Sequence, residues 1–323
     1  MHMLRGAVLA ILCLVLIAPA RAAEPIRIGL LKFGTVNWEI DVVQHHELDE
    51  KHGIALDVTA LASTQATRVA LQAGSVDMIV SDWLWVSRQR GKGSDFTMIP
   101  YSSALGAVMV AADSGTASLA DLKGKSVGIA GGPLDKSWLM LRAYSRKTLG
   151  FDLEDAVEPA FGAPPLLAEK FAQGELDAVL NYWHYAARLE ARGFKRLIGM
   201  NDVVKGLGGS GSLAMIGYTF TEDWAENNRS ALRGFRRAVA EARRIMATSD
   251  EEWQRLAPLV QARDARTLEL LRDHHRQGIP EETGEIARDA ALIFDIIAEL
   301  GGDSLTGGQK ALAPGTFWEG GDG

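Results

Sequence analysis

Residues 73–88 read AGSVDMIVSDWLWVSR, and residues 173–188 read QGELDAVLNYWHYAAR. The two align without a gap at an offset of 100: Gly74 over Gly174, Asp77 over Asp177, Trp83 over Trp183, Arg88 over Arg188. The match runs backward through ASTQATRVALQAG (62–74) over GAPPLLAEKFAQG (162–174), and Trp38 and Trp138 fall at the same offset. Internal repetition marks a duplicated structural unit. Each half has the same order. A short strand (26–31; 126–130) leads to a helix (38–52; 136–149) and an extended segment (54–60; 157–161). A short helix then ends at Gly74 or Gly174, and a second strand (77–80; 177–180) runs into a Trp-bearing loop that opens a helix. Strands alternating with helices predict a parallel-rich sheet flanked by helices. Two such units predict an α/β chain of two lobes.

Working outward, the first lobe ends in the extended segment YSSALGAVMV (101–110), and the second in the Gly-rich KGLGGSGS (205–212). Residues 213–218 read as a strand returning to the first lobe, and from Glu222 onward apolar residues recur at helical spacing. The expected division is residues 24–105 plus 213–323 for lobe one and 106–212 for lobe two, with two hinge crossovers. Ligands of open parallel sheets sit outside the carboxyl ends of the strands. Here those ends carry Gly34 to Trp38, Ser63-Thr64-Gln65, Ser81-Asp82-Trp83, Gly131-Gly132-Pro133, Ala163-Pro164 and Asn181 to His184. Two facing lobes would pool these loops in one cleft.

The 323 residues are 47% hydrophobic and 23% charged, which is globular composition. The formal charge of −7 argues against a nucleic-acid binder or an anionic membrane surface as partner. Residues 1–23, MHMLRGAVLAILCLVLIAPARAA, have a basic start, an apolar run shorter than the roughly 18–20 residues of a membrane span, and an A-x-A site at 20–22. They read as an export signal cleaved near Ala22 or Ala23, so a periplasmic location is expected. Cys13, the single cysteine, lies inside this segment. The exported chain then has no disulfide, thiolate nucleophile or Cys-held metal.

Three stretches carry a family resemblance: LASTQATRVALQAGSVDMIVSD (61–82), SLADLKGKSVGIAGG (118–132) and FAQGELDAVLNYWHYAARLEARG (171–193). The chain resembles periplasmic substrate-binding proteins of ABC importers, in the nitrate, sulfonate, taurine and thiamine-precursor group. That resemblance implies a two-lobed type II binding protein, a monomer that closes on a small anionic ligand and delivers it to a membrane permease, and no catalysis. A narrower resemblance rests on SDWLWVSRQRG (81–91), IPYSSALGAVM (99–109), GGPLDKSW (131–138), FGAPPLLAEK (161–170) and LNYWHYAARLEARGF (180–194). These are similar to binding proteins associated with quinoprotein alcohol oxidation, some of which take pyrroloquinoline quinone.

The residues suggest a ligand of the same kind. Trp38, Trp83, Trp138 and Trp183 sit at predicted strand ends or helix starts, where indole faces would hold a planar ring. Lys136, Ser137 and Gly132 lie at a helix start whose N–H groups attract an anion. Arg68 is expected at the cleft mouth. Thr64, Gln65, Ser81 and Asn181 offer short polar contacts, and His184 a hydrogen bond to a carboxylate. Asp82 would repel an anion unless paired with Lys136 or Arg68. Arg88 and Arg188, equivalent in the two halves, read as structural salt bridges. Pyrroloquinoline quinone, planar and tri-anionic, would use both the indoles and the cations; a small sulfonate, nitrate or thiamine precursor would use the cations alone. No cofactor is expected to be required. A metal-binding or accessory role beside a periplasmic quinoprotein dehydrogenase is the remaining alternative. It rests on HHELDEKH (45–52), where His45 and Asp49 are one turn apart, and on His274-His275. That run reads as a solvated helix face, and no metal site is expected.

Overall fold

The computed structural model describes residues 24–280 and 283–320. The expected export signal, residues 1–23, lies outside them. Ten strands form two sheets: β1 (Glu24–Leu31), β2 (Ile54–Leu61), β3 (Met78–Asp82), β4 (Phe96–Ser102), β5 (Ala107–Val110), β6 (Ser126–Ala130), β7 (Glu158–Gly162), β8 (Ala178–Asn181), β9 (Lys195–Gly199) and β10 (Ile216–Thr221). Their orders are β2-β1-β3-β10-β4 and β7-β6-β8-β5-β9. In each sheet the first three strands are parallel, and the fourth runs antiparallel to its neighbours. The fourth strand is the exchanged one. β5 follows lobe one in the chain and enters the second sheet, and β10 returns from lobe two to the first. The chain therefore crosses between Ser102 and Ala107 and again between Gly199 and Ile216.

The repeated residues explain the repeated topology. Gly74 and Gly174 adopt φ of 69° and 79°, the left-handed turn that ends each short helix and that a side chain disfavours. Asp77 Oδ2 accepts the β1 N–H of Arg27 at 2.9 Å, and Asp177 Oδ2 accepts the β6 N–H of Ser126 at 2.9 Å. Each aspartate ties the entry of the third strand to the first. The central strands of the second sheet are covered on both faces and nearly all apolar: Ala107–Val110 and Ala178–Asn181 are wholly buried, with Asn181 the one polar residue among them. Glu39 is buried in the helix Val36–His45. It accepts from Tyr218 Oη at 2.7 Å and Arg243 Nε at 2.8 Å, so its charge is compensated.

The last helices straddle the expected lobe division. Helix Ala265–Gln277 packs on helix Trp183–Ala191 of lobe two, and helix Thr283–Thr306 packs on helix Lys136–Leu149. One apolar core runs from Ile79 and Met98 of lobe one through Ile286, Phe294 and Ile297 to Val127 and Leu139 of lobe two. Arg88 and Arg188 do not make the expected salt bridges: among the described residues neither has an ion pair. Arg188 instead donates to the backbone carbonyls of His184 at 2.7 Å and Val260 at 2.8 Å. No described helix is long and apolar enough to cross a membrane.

Candidate ligand-binding site

Outside the carboxyl ends of both sheets lies a cavity of about 490 Å³, the size of a small-ligand site. Lobe one contributes Leu31, Phe33, Thr35, Thr64, Ser81 and Asp82, and lobe two contributes Asp135, Lys136, Ser137, Pro164, Pro165 and Tyr182. Trp183, His184, Tyr185 and Tyr101 complete the wall, with Leu105 and Met215 from the crossovers. A larger space of about 660 Å³ lies on the hinge side, walled by Arg196, Lys205 and His274. Two of its basic groups are already engaged: Glu190 pairs with His274 at 2.6 Å and with Arg196 at 3.0 Å. It takes no residue from the loops that follow β1, β2, β3, β6 and β7, whereas the smaller cavity is built from such loops of both lobes and is the candidate site.

The chemistry of that cavity centres on Asp82. Its Oδ1 caps the helix Trp83–Arg90 by accepting from Trp85 N at 3.0 Å. Arg68 Nη2 reaches Oδ2 at 2.8 Å from the helix Thr64–Gln72. Lys136 Nζ approaches Oδ1 at 3.5 Å from the other lobe. This last pair spans the cleft and links the two lobes. Burial alone would push the Asp82 carboxyl up; Lys136 and Arg68 overcome that and hold it below the usual carboxylate range. Arg68 also lies over the Trp85 ring at 5.0 Å, which fixes its plane. Asp135 Oδ1 caps the helix Lys136–Leu149 through Ser137 N at 2.9 Å, and its Oδ2 accepts from Tyr182 Oη at 3.4 Å. Burial raises the Asp135 pKa, partly offset by Lys136 and the helix N–H groups. With the carboxylates ionised, the two cations are fully balanced; without Asp135 the cluster carries a single positive charge.

The candidate residues divide. Thr64, Ser81, Asp82, Lys136, Ser137, Trp183 and His184 line the cavity. Arg68 stands behind Asp82 rather than at the mouth. Asn181 is buried and braces the loop, donating to Pro164 O at 2.9 Å and accepting from Tyr182 N at 2.8 Å. Gln65 is exposed and, like Gly132, is not part of the wall. Trp38, Trp83 and Trp138 are core residues, 5%, 0% and 0% exposed, and none lines the cavity. Only Trp183 of the four indoles does. Trp38 instead meets Trp183 edge-on at 5.7 Å and Trp253 at 6.2 Å, forming a floor beneath the site that joins the lobes. Tyr101, Asp135 and Tyr185 were not among the candidates. Asp135 was legible only as a helix cap, and a cap at a strand's carboxyl end is the signal that points to the cleft.

Two histidines, His275 buried and His184 half-buried on the cavity wall, bear on the pH dependence of this floor. Burial, and then Arg188, pushes His184 down to about 3, so the imidazole is neutral and brings no charge to an anion. His275, packed against Trp253 at 5.2 Å, is likewise pushed down to about 3 by burial, with Arg243 and Arg276 adding to it. The unfolded chain takes up a proton below about pH 6.5 that folded His275 refuses until about pH 3. Its contribution to stability is therefore complete above pH 6.5 and is lost as the pH falls from there. The expected loss is roughly 2 kcal/mol between pH 6.5 and 5. Urea midpoints at pH 7 and 5 measure it together with the like contribution of His184; His275→Gln is expected to remove about half of the difference, and an equally steep variant would rule the assignment out.

Comparison with known proteins agrees with this architecture. The periplasmic aliphatic sulphonate-binding protein of Escherichia coli matches with a TM-score of 0.72 at 20% identity, over 92% of this chain and 93% of that one. The alkanesulfonate-binding protein of Xanthomonas axonopodis pv. citri, solved with MOPS bound, matches at 0.66 and 18% identity, over 92% and 99%. The periplasmic nitrate-binding protein of Synechocystis PCC 6803 matches at 0.56 and 13%, over 82% and 74%. At these identities the likeness is one of fold, the two-lobed periplasmic binding protein. No curated protein sequence matches the chain. The sequence profile of the NMT1/THI5-like family matches residues 48–252, from the first lobe through the second and into the C-terminal helices. With more than half its length in that match, the chain belongs to the NMT1/THI5-like family.

Proposed function

We propose that the protein is the solute-binding component of an ABC importer, exported to the periplasm and acting as a monomer. It would capture a small organic ligand carrying at most one net negative charge and present it to a membrane permease. The observation that carries the reading is the Arg68–Asp82–Lys136 cluster closing a cavity between two lobes. A ligand that bridges the lobes stabilises the closed form by its differential affinity. Binding and delivery, rather than catalysis, is the role this reading assigns to the cavity.

The same cluster bears on ligand class. The case for pyrroloquinoline quinone rested on four cleft indoles and an excess of cations. Three of those indoles are in the core, and Asp82 neutralises one of the two cations. A trianion would enter a site with one positive charge to spare and a second carboxylate, Asp135, beside it. A monoanion with an apolar body, such as a small sulfonate or carboxylate, fits the charge and the wall of Phe33, Tyr101, Pro165, Tyr182 and Met215. Titration of an alkanesulfonate and of pyrroloquinoline quinone, followed by tryptophan fluorescence and calorimetry, tests this. Saturable binding of the sulfonate is expected, with Trp183 as the reporting indole. Stoichiometric binding of the quinone with no response to any monoanion would overturn it.

A further inference from the structure

Glu252 is the third residue of the helix Asp250–Leu256 and only 5% exposed. Ser249 Oγ accepts its N–H at 3.1 Å, so its backbone is fixed. Its Oε1 accepts from Arg255 Nε at 2.9 Å and Nη2 at 2.6 Å. Its Oε2 points the other way, to His46 Nε2 at 3.1 Å, across 206 residues of chain. His45 stands beside His46, the rings edge to face with centroids 4.9 Å apart. One ligand atom from each of His45, His46 and Glu252 lies within 4.8 Å of the other two. The pairing open to the sequence, His45 with Asp49, is not the one formed; Asp49 turns to the backbone N–H of Leu56.

We propose that His45, His46 and Glu252 form a binding site for a divalent transition-metal cation, with Zn²⁺ as the probe. Two imidazoles and one carboxylate are a donor set for zinc, whereas magnesium and calcium take oxygen ligands. Ligand atoms around tetrahedral zinc at about 2.0–2.1 Å lie roughly 3.4 Å apart, so a spread of up to 4.8 Å closes by at most about 1.4 Å of side-chain movement. Both histidines are exposed, at the end of the helix Val36–His45, and rotate without disturbing the core. Local charge favours a cation. Arg255 is shared between Asp41 at 2.5 Å and Glu252 at 2.6 Å, so one cation faces two carboxylates and the group is left with a net negative charge. The fourth position faces solvent and takes water. None of the three residues lines the ligand cavity, so the site stands independently of the proposed transport role.

The test is calorimetry with ZnCl₂ on the purified, tag-free protein near neutral pH. A single Zn²⁺ per chain is expected, weakened by about 10-fold or more in His45→Ala and in His46→Ala. His52→Ala is expected to leave it unchanged, since His52 pairs with Glu241 elsewhere on the lobe. Absence of binding at zinc well above the protein concentration would overturn the proposal. So would binding that both histidine variants retain in full, or equal binding of Mg²⁺. Glu252→Gln probes the carboxylate, with circular dichroism to confirm its fold; because it also breaks the Arg255 pair, the exposed histidine variants decide the question.

Discussion

Lys136→Gln is expected to weaken capture of a monoanion by about 30-fold, the low end of what truncating a partly desolvated charge partner costs, near 2 kcal/mol. The low end applies because the Lys136 side chain keeps 24% of its exposure and is partly screened. Two losses combine. The ligand loses its nearest cation, and Asp82 loses the partner that reaches it from the other lobe. Asp82→Asn probes the same cluster from the opposite side. Asparagine caps a helix as well as aspartate does, so the helix Trp83–Arg90 still starts where it did. Removing the carboxylate leaves Arg68 and Lys136 without their shared counter-charge and raises the site by one positive unit. The preference is expected to move toward dianionic ligands relative to monoanions. Titration of both variants with one alkanesulfonate and one disulfonate gives the answer. Unchanged affinity in Lys136→Gln would remove the cluster from the ligand's path and with it the charge argument.

The repeat shows how much of this is legible in the sequence. Where the two halves carry the same residue, the residue mostly serves the fold. Gly74 and Gly174 make the left-handed turns, Asp77 and Asp177 tie strands, and Trp38 and Trp138 fill cores. These roles follow from local rules, so the order of elements along the chain and the two crossovers could be read from sequence. The cavity is built where the halves differ. At the same offset of 100, Thr35 faces Asp135, Thr64 faces Pro164 and Asp82 faces Tyr182, and all six line the cavity. Val36 is buried where its counterpart Lys136 reaches the ligand space. Identity between the halves drew attention to the tryptophans; difference between them marks the site. What the sequence could not supply was helix rotation. Trp83 and Trp183 both follow a strand as the first residue of a helix, yet one points into the core and the other touches the cavity. That the C-terminal helices touch both lobes was not legible for a related reason. Helical periodicity shows that a face is apolar without saying which lobe it will cover.

Trp138→Ala and Trp183→Ala are expected to fail in different ways, and the contrast separates core from site. Trp138 is fully buried in the core shared by Leu139, Ile293 and Phe294. Truncating a buried tryptophan costs about 3–5 kcal/mol, through lost transfer energy and the cavity left behind. For a chain of this size that lowers the melting temperature by on the order of 10 °C. The affinity of the folded fraction for ligand is expected to stay as it was, since the ring does not reach the cavity. Trp183 has one edge on the aromatic floor and another on the ligand space. Its removal is expected to lower stability as well, and in addition to cut ligand affinity by about 10-fold, the worth of one well-placed aromatic contact. Thermal melts with and without a saturating monoanion measure both quantities in one experiment. A Trp138→Ala protein that keeps its melting temperature and loses its ligand would return the indoles to the cleft, and would restore a flat aromatic ligand as the better occupant of this cavity.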